Sequence, residues 1–156
     1  TLRRLGLEAL EQNWLGDPAV AMPSVMALLV WYQIGYALVI FISALQRMNP
    51  ELYEAAQVDG ASRFAIYTRI SIPQMAAELH VVILTTVIHA LKVFDPVYAM
   101  TEGGPGTTTT VVSYYSYRQL FQLSRVGYGS AIANTLALLV LAVMAIYVTR
   151  IYKEKV

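Results

Sequence analysis

His89, Lys92 and Asp95 fall three residues apart in "HALKVFD" (89–95), the interval that stacks side chains on one face of a helix. An imidazole, an amine and a carboxylate in one apolar stretch are ingredients for intramembrane acid–base catalysis. No nucleophile–base–orienter arrangement accompanies them, however. A lysine that snorkels toward the interface, with Asp95 one turn further on as its ion-pair partner, explains the same residues without catalysis. His80 and His89 are nine apart, which is not a usable ligand spacing, so no metal site is expected. The glycine-rich "TEGGPGTTTT" (101–110) lacks the Gly-Lys-Ser/Thr ending of a phosphate loop and no hydrophobic strand feeds it, so it reads as a flexible turn. No catalytic residue is assigned.

Uncharged polar groups within the apolar stretches suggest a different chemistry. Such groups are costly in hydrocarbon and usually face a bundle interior or a wet cavity, where they mark a solute pathway. Gln33, Thr85, Thr86, His89 and Asn134 are the candidates, and His89 with Lys92 would meet solute hydroxyls or an anionic group. The same side chains would equally serve to bond a neighbouring helix. Trp31, Tyr32 and Tyr36 read as packing or interface anchors rather than a sugar-stacking platform.

The elements that must carry these residues are set by composition. Of 156 residues, 57% are hydrophobic and 13% charged, against about 25% charged in an ordinary soluble domain. Lipid is therefore the expected solvent. A net charge of +1 gives no basic face for nucleic acid, and the absence of cysteine excludes a disulfide framework and thiolate metal sites. The chain opens at Thr1 with no cleavable signal, and reads as a piece of a longer protein. No charge occurs from Pro18 to Gln46 or from Val126 to Thr149, and each run exceeds the roughly 20 residues that cross the bilayer. Between Glu78 and Lys92 lie only thirteen residues, "LHVVILTTVIHAL". They reach spanning length if Glu78, Lys92 and Asp95 sit at the interfaces.

The fold expected is an all-α membrane protein. It is a polytopic bundle fragment with three spans (19–45, 74–97 and 127–149), a loop at 47–73 and an opposite loop at 98–126. Arg47, Arg63 and Arg69 share a side with Arg150, Lys153 and Lys155; Arg3, Arg4, Arg118 and Arg125 lie opposite. The larger basic count places loop 47–73 and the C-terminus in the cytoplasm. Tyrosine-dense "VVSYYSYRQLFQL" (111–123) reads either as a short interfacial helix or as a helix packed over the mouth of the bundle.

Loop 47–73 is the polar exception. Asn49 can cap a helix whose first residue is Pro50, and Glu51 and Glu54 suit its positive end. The helix 50–59 would close at Gly60. A second helix follows through "ASRFAIYTRIS", with Phe64, Tyr67 and Ile70 or Ser71 along one face, and Pro73 marks entry to the next span. The first helix is too short to persist alone in water. It must pack on its own protein or lie in a groove on a soluble partner.

This loop resembles the signature of permease subunits from binding-protein-dependent ATP-binding-cassette importers: E-A-A, three residues, G, nine residues, I-x-L-P. Here Glu54-Ala55-Ala56, Gly60 and Ile70-Ser71-Ile72-Pro73 keep every gap, and only Ile72 departs, by a volume-conserving change. "NWLGDPAVAMP" (13–23), "DGASRF" (59–64, with Asp59), "VFDPVYAMTEGGPGTTT" (93–109) and "GYGSAIA" (127–133) look like the carbohydrate-importer branch, which resembles the maltose and glycerol-phosphate permeases. The resemblance implies the last three core spans of a non-enzymatic permease in a bacterial or archaeal cell membrane. It implies a docking helix on a separate ATPase, with Glu54 as polar contact, Ala55 and Ala56 allowing close approach and Gly60 setting the angle. It further implies a second permease subunit and an extracytoplasmic solute-binding protein, with ATP and Mg bound by the partner ATPase and no cofactor in this chain. A secondary transporter would instead show internal repeats or helices broken at mid-membrane; Pro18 and Pro23 lie at the start of the first run, and Gly35 alone does not break it.

Overall fold

The computed structural model describes residues 12–154. Arg3, Arg4 and Lys155, three of the charges bearing on orientation, lie outside the described residues, as does the Lys153 side chain. All the regular structure described is helical, with no strand among the described residues.

Helix α1 (Ala21–Gln46) occupies the first charge-free run. Its entry is tied down locally: the Asp17 carboxylate accepts the Ala19 N–H (2.8 Å), and Ser24 Oγ lies in reach of the Trp14 and Val20 carbonyls (3.1 and 2.8 Å). Twenty-six residues extend about 39 Å, more than the roughly 30 Å of hydrocarbon. After α1 come α2 (Pro50–Val58), α3 (Arg63–Gln74), α4 (Ala76–Leu91), α5 (Asp95–Met100) and α6 (Val112–Tyr117). Helix α6 runs on as a π turn over Arg118–Gln122, and α7 covers Val126–Glu154. Among the described residues, two helices are long and apolar enough to cross a membrane, Ala21–Gln46 with mean hydropathy 2.1 and Val126–Ile151 with 2.3; the bent pair α3 and α4 would make a third if it is one span.

The middle segment departs from a continuous helix over 74–97 at both ends. Helix α4 stops at Leu91, and its 16 residues extend only about 24 Å. The cause is Pro96, which has no N–H for the Lys92 carbonyl and whose ring would collide with it. Lys92 and Asp95 consequently stand on either side of a break, and no ion pair forms between them among the described residues. At the other end, α3 continues through Pro73 instead of breaking there. The turn before the proline is widened: residues Tyr67–Ser71 are π-helical and the Ile72 N–H reaches back five residues to the Tyr67 carbonyl. A π turn relieves the crowding that a proline imposes on the preceding turn. The break comes at Met75, where α3 and α4 meet at 71°.

Residues 31–88 form one compact unit and residues 12–30 with 89–154 another. In the first, Phe41, Ile72, Met75 and Leu79 line a small apolar recess at the bend between α3 and α4. In the second, Val25, Val97 and Tyr114 are buried together and flanked by Leu29, Phe94, Met100, Val111 and Tyr117. Aromatic rings extend this core: Phe94 stacks on Tyr98 at 5.4 Å and meets Tyr117 edge-on at 5.2 Å, and Tyr117 continues to Phe121 at 5.2 Å. Helix α6 is therefore a packed helix. Its Ser116 Oγ donates to the Gly129 carbonyl of α7 (2.8 Å), and Ser113 Oγ donates to the Val93 carbonyl.

The "TEGGPGTTTT" segment is more closed than the flexible turn expected. Thr109 is fully buried, donates to the Gly104 carbonyl (2.8 Å) through its backbone-facing hydroxyl and pairs with Thr101 Oγ1 (2.7 Å); Thr110 Oγ1 donates to the Gly103 carbonyl (3.1 Å). Threonine hydroxyls supply the contacts that glycines cannot.

Helix α7 approaches α6 closely at Gly129, where an added Cβ would lie 2.5 Å from Leu120 Cγ and 2.9 Å from the Leu120 nitrogen. Gly127, one residue pair earlier, has nothing within 4 Å. Gly129→Val should destabilise the detergent-solubilised protein by about 1–3 kcal/mol, the usual cost of overpacking, and Gly127→Val by much less. Apparent melting temperatures of the two variants measure the difference.

Candidate functional site

The polar loop between α1 and α4 is built from three caps. Asn49 Oδ1 accepts the Glu51 N–H (3.0 Å) ahead of Pro50, so the first turn of α2 is satisfied as the residue types require. The helix ends one residue earlier than the 50–59 expected, with Asp59 as its C-cap. Gly60 has φ +75°; its N–H donates to the Gln57 carbonyl (3.0 Å), and the Ala61 N–H donates to the Ala56 carbonyl (3.0 Å). Those two bonds are the Schellman closure, and the second alanine of E-A-A supplies one of its acceptors. Ser62 then caps α3, accepting the Ala65 N–H on its hydroxyl (3.2 Å).

Glu54, Ala55 and Asp59 are exposed, Ala56 and Ile70 are half-buried, and Pro73 is exposed. No residue of α2 is buried, so the helix presents its acidic and small side chains outward. On α3, Phe64 and Tyr67 are exposed, while Ile66 and Ser71 are buried. The inward face of α3 is thus set by the π turn rather than by α-helical spacing.

Two contacts in the loop were not anticipated. The Tyr53 phenol lies 3.0 Å from Ser71 Oγ, and Arg47 forms an ion pair with Glu78 that joins the end of α1 to the start of α4. The Arg47 side chain is 67% exposed, so that pair contributes about 0–1 kcal/mol. The residue types are visible in the sequence, a tyrosine on a short polar helix and opposite charges at 47 and 78, but nothing local pairs them.

Of the polar residues in the spans, Gln33 and Thr86 come together. Gln33 Nε2 donates to Thr86 Oγ1 (2.7 Å), and Thr86 Oγ1 donates to the Val82 carbonyl of its own helix (2.6 Å). Both are half-buried. Thr85 is satisfied within α4 by the Val81 carbonyl (2.8 Å). His89 is exposed near the end of α4, and Lys92 falls just beyond it, so the two do not continue on one helical face as the spacing suggested. Asn134 is exposed on α7. His80 Nδ1–H donates to the Ala76 carbonyl one turn back.

The arrangement has relatives. The chain is 35% identical over 150 residues to a probable ABC transporter permease of Pyrococcus horikoshii, which covers 96% of this chain and 51% of that protein. It is 36% identical over 135 residues to the trehalose/maltose transport system permease MalF of Thermococcus litoralis, covering 86% of this chain and 45% of the relative. Among solved structures it resembles a bacterial alginate ABC transporter, crystallised with an alginate pentasaccharide-bound periplasmic protein. The TM-score is 0.81 at 29% identity, over 94% of this chain and 50% of that one. The chain thus spans about half the length of the relatives it matches. These relatives are membrane permeases and not enzymes. Residues 5–156 match the family described as binding-protein-dependent transport system inner membrane component, and the chain belongs to that multi-pass membrane family.

Proposed function

We propose that this chain is the C-terminal part of a permease subunit that forms the membrane pathway of an ATP-driven importer for a sugar or related carbohydrate. The observation that carries the reading is the loop at 47–73. It has the spacing of the E-A-A signature, and its helix is capped at both ends yet exposes its acidic and small side chains. On this reading, α1, the bent pair α3 and α4, and α7 are three spans, and the loop and the C-terminus face the cytoplasm. Helix α2 lies in a groove on a separate ATPase, which binds ATP and Mg. A second permease subunit completes the pathway, and an extracytoplasmic solute-binding protein delivers the cargo. The carbohydrate class is supported by the trehalose/maltose and alginate relatives. Gln33 and Thr86, already bonded across α1 and α4, are the pathway candidates whose hydroxyl and amide would be shared with a sugar.

Coupling by this route requires the bend at Gly60. Any other residue there must adopt a left-handed backbone, at about 1–2 kcal/mol, and β-branched side chains fit it worst. Nothing lies within 4 Å of the position, so a side chain adds strain without collision. Gly60→Val in the full transporter is expected to insert normally and to retain ATP hydrolysis while solute uptake falls; normal uptake would remove the bend from the mechanism. Removal of residues 50–60 should abolish co-purification of the ATPase without preventing membrane insertion, and an ATPase that still co-purifies would place docking elsewhere.

A further inference from the structure

Helices α2 and α3 are joined covalently through Gly60, the residue with the freest backbone in the loop. Two rigid pieces connected at one pliable point can swing about it, and a swinging helix absorbs displacement instead of passing it on. A second attachment removes that freedom. The structure contains one. Tyr53 and Ala56 are the only residues of α2 that are not exposed, and the Tyr53 phenol sits 3.0 Å from Ser71 Oγ and 2.7 Å from Met48 Sδ. The phenol has a single proton. Donated to the Met48 sulfur, it leaves the oxygen to accept from the Ser71 hydroxyl. Tyr53 therefore touches the exit of α1, its own helix and the π turn of α3.

Ser71 is 2% exposed and closes that π turn. In an ordinary helix, residues three and four apart share a face. The widened turn lets Ile66 and Ser71, five apart, both point inward, so the distortion that accommodates Pro73 also aims Ser71 at the phenol. The Arg47–Glu78 pair closes the base of the same loop. None of Tyr53, Arg47 and Glu78 belongs to the E-A-A signature.

We propose that Tyr53 and Ser71 are positioning residues. Their hydroxyl pair is a strut that holds α2 at a fixed attitude to α3, so that movement of α2 reaches α4 rather than being lost at Gly60. The proposal rests on the coupling function given above to α2. Neither residue need touch the ATPase or the solute.

The test uses the full-length permease assembled with its ATPase and solute-binding protein in proteoliposomes, comparing Tyr53→Phe, Ser71→Ala and the double variant. Retention of the ATPase, ATP hydrolysis and solute imported per ATP are measured together, with hydrogen exchange of the amides of 50–60. Both single variants should keep the ATPase and hydrolyse ATP. Solute per ATP should fall about fivefold or more, the low end of ordinary coupling between sites, with the double variant no worse than either single one. Exchange in α2 should rise. An unchanged solute-to-ATP ratio in both variants overturns the strut. So does loss of the ATPase with Tyr53→Phe, which would assign the tyrosine to docking itself. Failure of the coupling reading shows separately, as an ATPase that stays bound after residues 50–60 are removed.

Discussion

Nine residues of helix do not hold their shape in water, and the whole loop depends on how α2 is kept folded. Its ends are closed by groups that cost no core: the Asn49 amide oxygen at one end, and the carbonyls of Ala56 and Gln57 folded back on Ala61 and Gly60 at the other. Caps of this kind contribute about 0.5–2 kcal/mol at an N-terminus. They add to the contacts of half-buried Tyr53 and Ala56, and together these leave the outward face of the helix free. A helix that secured itself by burying Ala55 or Glu54 in its own protein would have no surface left to present. The capping and the exposure are two sides of one arrangement.

The same economy of backbone hydrogen bonds explains the elbow that follows. In an apolar setting an unpaired N–H or C=O costs several kcal/mol, so a chain crossing it stays helical wherever it can. Pro73 does not break α3, because the preceding turn widens and the Ile72 N–H finds the Tyr67 carbonyl. Pro96 does end the helical run, because it falls where the chain leaves α4 and polar Lys92 and Asp95 flank the gap. Identical residues stand in opposite settings: Pro73 follows a widened turn inside α3, and Pro96 lies in the first turn of α5.

Much of this was legible in the sequence, for physical reasons. Charge-free runs, an Asn-Pro start and a glycine stop are local signals, and α1, α7, the Asn49 cap and the left-handed Gly60 appear as expected. The distortion at Tyr67–Ser71 was not legible, since a π turn depends on how a proline is accommodated rather than on whether it is present. The Tyr53–Ser71 and Arg47–Glu78 contacts escaped for another reason: they join residues 18 and 31 positions apart, and no local pattern encodes such pairing. Among the span residues, polarity singled out Gln33 and Thr86. It did not reveal that they bond each other, which only the meeting of α1 and α4 decides. The Lys92–Asp95 pair failed because the helical spacing it assumed was interrupted by Pro96, a residue visible in the sequence.

Placement of α2 on the cytoplasmic side is the central claim, since an ATPase reaches the permease only there. This chain has no cysteine, so Glu54→Cys in a full-length permease otherwise free of cysteine gives a single reporter. A membrane-impermeant maleimide should label it in inverted vesicles prepared without the ATPase and leave it unlabelled in intact cells. Labelling from the outside of intact cells would contradict the placement and, with it, the coupling role.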